Sequence, residues 1–281
     1  MTDIKQLKDI ATQTRRDVLR MVNSCASGHP GGSLGCADLF TALYFSAMDI
    51  DPKNFTREGK KEDMFFLSIG HIAPIWYSVL ARRGYFPVKE LASLRQLGSR
   101  LQGHPSWQAH LPGVRAASGS LGQGMSVGIG AALAKKMNND DKLVYTLHGD
   151  GEIEEGQIWE AAMFAGANHV DNLISIIDVN GVQIDGRTDN VCCSKSLKDK
   201  FLAFNFDVIE CNGNDMQELL QALAACKEHA HKGKPIMLLI HTLMGYGVDF
   251  MQDNNAWHGK APNDEQTKNA LSQIKETLGD Y

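Results

Sequence analysis

Apolar residues along this chain follow two periods in alternation, one helical and one extended. Ile4, Leu7, Ala11, Thr14, Val18 and Met21 recur at three- and four-residue spacing, which predicts a helix ending near Asn23 and Ser24. Ala37, Leu39, Phe40, Ala42, Leu43 and Phe45 predict a second, buried helix after a glycine-rich loop at 27–35. Apolar-rich stretches near 64, 143, 173, 206 and 236 predict strands, and the last, 235–243, is apolar enough to be buried on both faces. Between them lie helical patterns at 75–84, 88–96, 122–134 and 158–167. A further one opens at Asn214-Asp215-Met216-Gln217 with a capping-box pattern, and a surface helix is expected over 264–278. Strands alternating with helices predict an α/β chain, a three-layer α/β/α arrangement with an open, mainly parallel sheet. Loops just past the strand ends are then the ligand-binding side.

Composition narrows the function classes. The chain has 281 residues, 43% hydrophobic and 22% charged, the profile of an ordinary globular protein. A net charge of −5 without a Lys/Arg cluster carries no nucleic-acid footprint. No apolar run approaches the roughly 18 residues that cross a bilayer, and the first residues do not read as a signal peptide, so a cytoplasmic protein without a membrane partner is expected. Cys25, Cys36, Cys192, Cys193, Cys211 and Cys226 form no C-x-x-C pair and are expected as reduced thiols.

The candidate chemistry centres on 149–186. An apolar run ends at Gly149-Asp150-Gly151, where glycines let backbone N–H groups approach an anion, and a helical pattern follows whose N-terminus should face them. A second apolar run ends at Asp178-Val179-Asn180-Gly181. Neighbouring strand ends would offer Asp150 and Asn180 to one hard cation, and Asp and Asn oxygens completed by a backbone carbonyl and phosphate oxygens suit Mg²⁺. Each motif alone is a common turn. An EF-hand starting at Asp178 fails, because Gln183 occupies its glycine position and Asp189 its glutamate position. A Rossmann fingerprint fails as well, since no glycine lies three residues after Gly151.

Gly-Asp-Gly followed after about thirty residues by Asn resembles the diphosphate and metal motif of thiamine diphosphate enzymes, and in detail the chain resembles the transketolases. Ser-Gly-His-Pro-Gly-Gly-Ser-Leu-Gly at 27–35, Gly70-His71, Gly103-His104-Pro105, Gly119-Ser120-Leu121-Gly122-Gln123-Gly124 and Trp257-His258-Gly259 carry the resemblance along the whole length. It implies a thiamine diphosphate-binding fold, with 1–281 as a single diphosphate-binding domain. It implies Mg²⁺ or Ca²⁺ on Asp150, Asn180 and the carbonyl of Val182, and diphosphate on His71, Gly151 and His258. Gly119 and Leu121 would lie against the cofactor's rings. Catalytic roles fall to His29, His104 and His258, facing a sugar or sugar phosphate, and to Glu155, which in the family pairs with a glutamate across a subunit interface.

That glutamate belongs to a second, pyrimidine-binding domain, for which 281 residues leave no room. The expectation is therefore the N-terminal subunit of a split transketolase, working in the cytoplasm as a heterotetramer with a separately encoded chain that carries the pyrimidine-binding and C-terminal domains. Glycines inside the 122–134 helix, each costing about 1 kcal/mol against alanine, also imply a close-packed neighbour. Alternatives left open are a deoxyxylulose-phosphate synthase-like or 2-oxoacid decarboxylase-like subunit, and a non-catalytic nucleotide-binding module on the same fold.

Overall fold

The computed structural model describes residues 3–281. All five apolar runs are strands of one parallel sheet: β1 (Met64–Leu67), β2 (Val144–Gly149), β3 (Leu173–Val179) and, after the two-residue antiparallel pair β4 (Val182–Gln183) and β5 (Gly186–Arg187), β6 (Asp207–Asn212) and β7 (Ile236–His241). Their spatial order is β1-β2-β3-β7-β6. Register sets Gly149 beside Asp178 and Val179 beside His241, so three strands finish at one level and release their loops together.

Helices cover both faces. In chain order they are α1 (Ile4–Ser24), α2 (Pro30–Gly35), α3 (Ala37–Ala42), α4 (Ala73–Arg83), α5 (Gln123–Met137), α6 (Gly156–Ala167), α7 (Thr188–Val191), α8 (Leu197–Ala203), α9 (Met216–His229) and α10 (Asp264–Gln273). Alternate strand residues feed two cores, as a pleated strand requires. Tyr145, Leu147, Ile174 and Ile176 pack with Leu19, Phe40, Trp76 and Leu223 from α1, α3, α4 and α9. Val144, Leu173 and Ile177 pack on the opposite face with Met125, Ile129, Ile158 and Phe201 from α5, α6 and α8. Leu and Phe side chains without exposure fill both layers, each burial worth about 1.5–3 kcal/mol.

Several local expectations change. The 27–35 stretch is not all loop. Pro30 opens the six-residue α2 at its first turn, where its missing N–H matters least, and Ser33 Oγ donates to the His29 carbonyl at 2.7 Å. Residues 152–154 form a 3-10 turn, so α6 starts only at Gly156 and its N-terminus does not follow the glycines directly. The capping box stands at Asn263 and Gln266, which head α10, while Asp215 caps α9 singly by accepting from the N–H groups of Gln217 and Glu218. α10 ends at Gln273, five residues short of the predicted limit, although Ile274 is buried. The 88–96 pattern is a 3-10 helix, Val88–Ser93, and the polar stretch 185–195 contains α7.

Candidate functional site

A cavity of about 330 Å³ opens at the carboxyl ends of β1, β2, β3 and β7. One wall is made of carboxylates. Asp150 leaves the end of β2 with 6% of its surface exposed, and its two oxygens accept the N–H groups of Gly151 at 2.9 Å and Gly181 at 2.5 Å. Asp178, 2% exposed on β3, accepts from Asn180 Nδ2 at 2.8 Å and from the Thr242 hydroxyl, while Asn180 Oδ1 accepts the Val182 N–H at 2.9 Å. Burial pushes the Asp150 carboxyl up to about 7, and the Asp178 charge adds to it; burial raises Asp178 too. The interactions shifting these two groups include no lysine or arginine. Two buried carboxylates without a cation are a costly arrangement that a bound cation relieves. Among the described residues no group of three His, Cys, Asp or Glu side chains could hold a metal. A cation on this wall would meet the Asp150 carboxylate and the Asn180 amide, with Val182 beside them in the lining, and would need further oxygens from a ligand. The donor set fits Mg²⁺ or Ca²⁺ on those terms.

The facing wall is imidazole. His71 sits in the 3-10 turn Gly70–Ile72 just past β1, His29 precedes α2, and His258 follows the 3-10 turn Asn255–Trp257. Their ring centroids lie 5.1, 5.2 and 5.7 Å apart, pair by pair. Glycine makes this convergence possible. A Cβ on Gly31 would come within 2.9 Å of Met244 Cγ and the Trp257 carbonyl, so α2 could not seat against 244–257, and His29 could not meet His258. Burial, with the neighbouring His258, Arg95 and His104, lowers His29 to about 4; burial, His258, His29 and His104 lower His71 to about 3. His104 and His258 are also lowered, chiefly by burial. His29 Nδ1 is buried with no hydrogen-bond partner among the described residues.

Between the walls runs a glycine loop. Gly119 has φ +120°, and a Cβ there would lie 2.6 Å from His104 Cδ2. Leu121 stays 39% exposed at the rim. Beneath them Glu152 accepts the Gly122 N–H at 2.7 Å and the Gly149 N–H at 3.1 Å.

Every predicted site residue except one lines this cavity: His29, His71, His104, Gly119, Leu121, Asp150, Gly151, Asn180, Val182 and His258. Glu155 does not. It is exposed at the head of α6, its Cβ 3.0 Å from where a Cβ on Gly122 would stand. The structure adds Glu152, Asp178 and Met244 to the lining. Asp178 was visible as part of an oxygen-rich strand end. Glu152 is one of three closely spaced glutamates, at 152, 154 and 155, and nothing in the sequence separates them.

The family described as "Transketolase, thiamine diphosphate binding domain" matches residues 7–279. An apulose-4-phosphate transketolase subunit from Phocaeicola vulgatus is 36% identical over 98% of this chain and 96% of its own length. A 6-deoxy-6-sulfo-D-fructose transketolase subunit from a Clostridium species is 38% identical, over 96% of each chain. Among solved structures, the transketolase from Leishmania mexicana superposes with a TM-score of 0.88 at 30% identity, covering 100% of this chain but 43% of that one.

Proposed function

Because the chain belongs to the transketolase family, as its thiamine diphosphate-binding domain, we propose that it is the N-terminal subunit of a split transketolase that transfers a two-carbon ketol unit from a ketose to an aldose. The observation that carries this is the meeting, in one cavity, of a buried carboxylate wall with a buried imidazole wall. A metal diphosphate complements both.

In this reading Asp150, Asn180 and the Val182 carbonyl hold Mg²⁺ or Ca²⁺, His71, Gly151 and His258 hold the diphosphate, and Gly119 and Leu121 bear on the rings. Thiamine diphosphate, when bound, supplies the thiazolium that stabilises the carbanion. The chain's part is placement and proton transfer. His29, depressed to about 4, is neutral at neutral pH and able to accept a sugar hydroxyl proton, while His104 and His258 hydrogen-bond the ketose oxygens. The substrate class is a sugar or sugar phosphate. The two relatives are named for an anionic ketose, one a phosphate and one a sulfonate.

The whole chain, 1–281, acts as one diphosphate-binding domain, and the partner is a separately encoded C-terminal subunit with pyrimidine-binding and C-terminal domains, two of each forming a heterotetramer. Two observations support it. Relatives of matching length are themselves named subunits, and the neighbouring helices α5 and α6 leave four large apolar side chains exposed, Val127, Met137, Met163 and Phe164. In this reading Glu155, exposed at the head of α6, pairs with a glutamate of the partner. No helix among the described residues is long and apolar enough to cross a membrane. All six cysteines are free, which suits the cytoplasm as the compartment.

Reconstitution tests this reading. The purified chain by itself should transfer no ketol group and should not decarboxylate pyruvate, and adding the partner should restore ketol transfer. Full turnover by the isolated chain contradicts the split arrangement. Pyruvate decarboxylation by the complex contradicts the reaction. A Phe164→Glu change on the apolar face should weaken association by at least about tenfold, as loss of a buried aromatic anchor does, without unfolding the chain.

A further inference from the structure

One buried carboxylate ties the two halves of the cavity together. Glu152 has 3% of its surface exposed and stands in the 3-10 turn after the 149–151 loop. Oε1 accepts the N–H of Gly122, the residue that heads α5, at 2.7 Å, and also the Ser68 hydroxyl; Oε2 accepts the Gly149 N–H at 3.1 Å. Ser68 Oγ in turn accepts the Gly124 N–H at 3.0 Å. Behind the carboxylate, His148 Nδ1 lies 3.3 Å from Oε2, and His148 Nε2 meets Thr146 Oγ1 at 2.9 Å, which bonds Ser175 Oγ at 2.9 Å.

This assembly joins three chain segments that touch nowhere in sequence: the end of β1, the loop before α5 and the loop after β2. A carboxylate is the group the position needs, because only an acceptor on both oxygens can take backbone N–H groups from two sides at once. Its charge also sits at the N-terminus of a 15-residue helix, where a negative charge is favoured. Close packing leaves the loop little alternative seat. A Cβ on Gly124 would lie 2.4 Å from Ser68 Cβ.

We infer that Glu152 is a positioning residue that couples the 119–124 loop to the 149–151 loop, so that a ligand spanning both meets them at a fixed separation. The inference rests on the cofactor reading above and adds a part to it. Glu152 touches the two backbones rather than reacting atoms, and its effect is transmitted through them. An amide in its place keeps the size but turns an N–H toward one of the two donors, breaking one side of the bridge.

Hydrogen exchange on the whole chain tests the coupling with inorganic diphosphate and Mg²⁺ as probe, ligands short enough to occupy only the 149–151 side. In the wild-type chain, binding should slow exchange at 119–124 as well as at 149–151, by about tenfold or more at both. Glu152→Gln should keep diphosphate affinity within about threefold, less than the loss of one hydrogen bond to a charged group, and keep the slowing at 149–151, but lose it at 119–124. Ser68→Ala, which removes one spoke and spares the carboxylate, should lose part of it and serves as the readout if Glu152→Gln does not fold. A general loss of structure would speed exchange along the β2 and β3 cores too. Slowing at 119–124 that survives in the variants, or that is missing in wild type despite binding, overturns the role of Glu152. Failure of the wild-type chain to bind diphosphate with Mg²⁺ overturns the cofactor reading itself.

Discussion

The two walls of the cavity are displaced in opposite directions. On the β2 and β3 side burial raises Asp150 and Asp178; on the β1, α2 and 255–259 side it lowers His29, His71 and His258. Burial disfavours charge of either sign, so it drives both walls toward neutrality. The difference teaches what the site is shaped to receive. A lone cation satisfies one wall and a lone anion the other. A ligand presenting a metal ion on one side and phosphate oxygens on the other satisfies both, which is the form of a metal-bound diphosphate.

Removing Asp150, the carboxylate proposed to hold the metal, should break the comparison most completely. Asp150→Ala should weaken metal-dependent thiamine diphosphate binding by more than about 100-fold, beyond the 10–100-fold typical of residues that only orient a ligand. Titration calorimetry of the chain with its partner measures it, and unchanged affinity removes Asp150 from the metal site. On the opposite wall His71→Ala should have a smaller effect, about tenfold or somewhat more, the loss of one hydrogen bond to a charged group. It should leave the affinity for the metal alone unchanged.

Stability against pH should separate the walls more finely. His29 and His71 titrate near 4 and 3 in the folded chain, below their ordinary 6.5, so as pH falls from 6.5 the unfolded chain takes up protons first and stability drops. Asp150 runs the other way. Its folded value near 7 lies above 3.8, so it contributes stability that is fully present at low pH and is lost as pH rises toward 7. The two slopes oppose each other in the chain without ligand. Asp150→Asn should unmask the imidazole slope, giving a thermal midpoint that falls more steeply from pH 6.5 to 4.5, and His29→Asn with His71→Asn should unmask the carboxylate slope. Parallel profiles in calorimetry would contradict the assignment.

Much of this was legible from the chain. Apolar stretches located all five long strands: β1, β2, β3 and β7 are buried almost throughout, and β6, at the sheet edge, still shows through Val208, Ile209 and Cys211 although Asp207 and Glu210 interrupt it. Glycine motifs with His or Asp past strand ends are common turns one by one; taken together they carry the transketolase resemblance, and that resemblance located ten of the residues that line the cavity. What escaped depends on tertiary contacts. α2 looked like loop because its glycines read as breakers, whereas they are there to let Met244 and Trp257 approach. Glu152 and Glu155 look equivalent in sequence, yet a 3-10 turn carries the first under the glycine loop and leaves the second at the rim.

Proton counting on ligand binding tests the claim of two oppositely displaced walls most directly. At pH 6, Mg²⁺ added to the chain should release protons, about one from Asp150, and diphosphate added to the Mg²⁺-loaded chain should then take protons up onto the imidazoles. Calorimetry in two buffers of different ionisation enthalpy reads both numbers. The release should vanish in Asp150→Asn, and the uptake, beyond the ligand's own, in His29→Asn with His71→Asn. Proton exchange of the same sign in both steps, or none in either, would contradict the account.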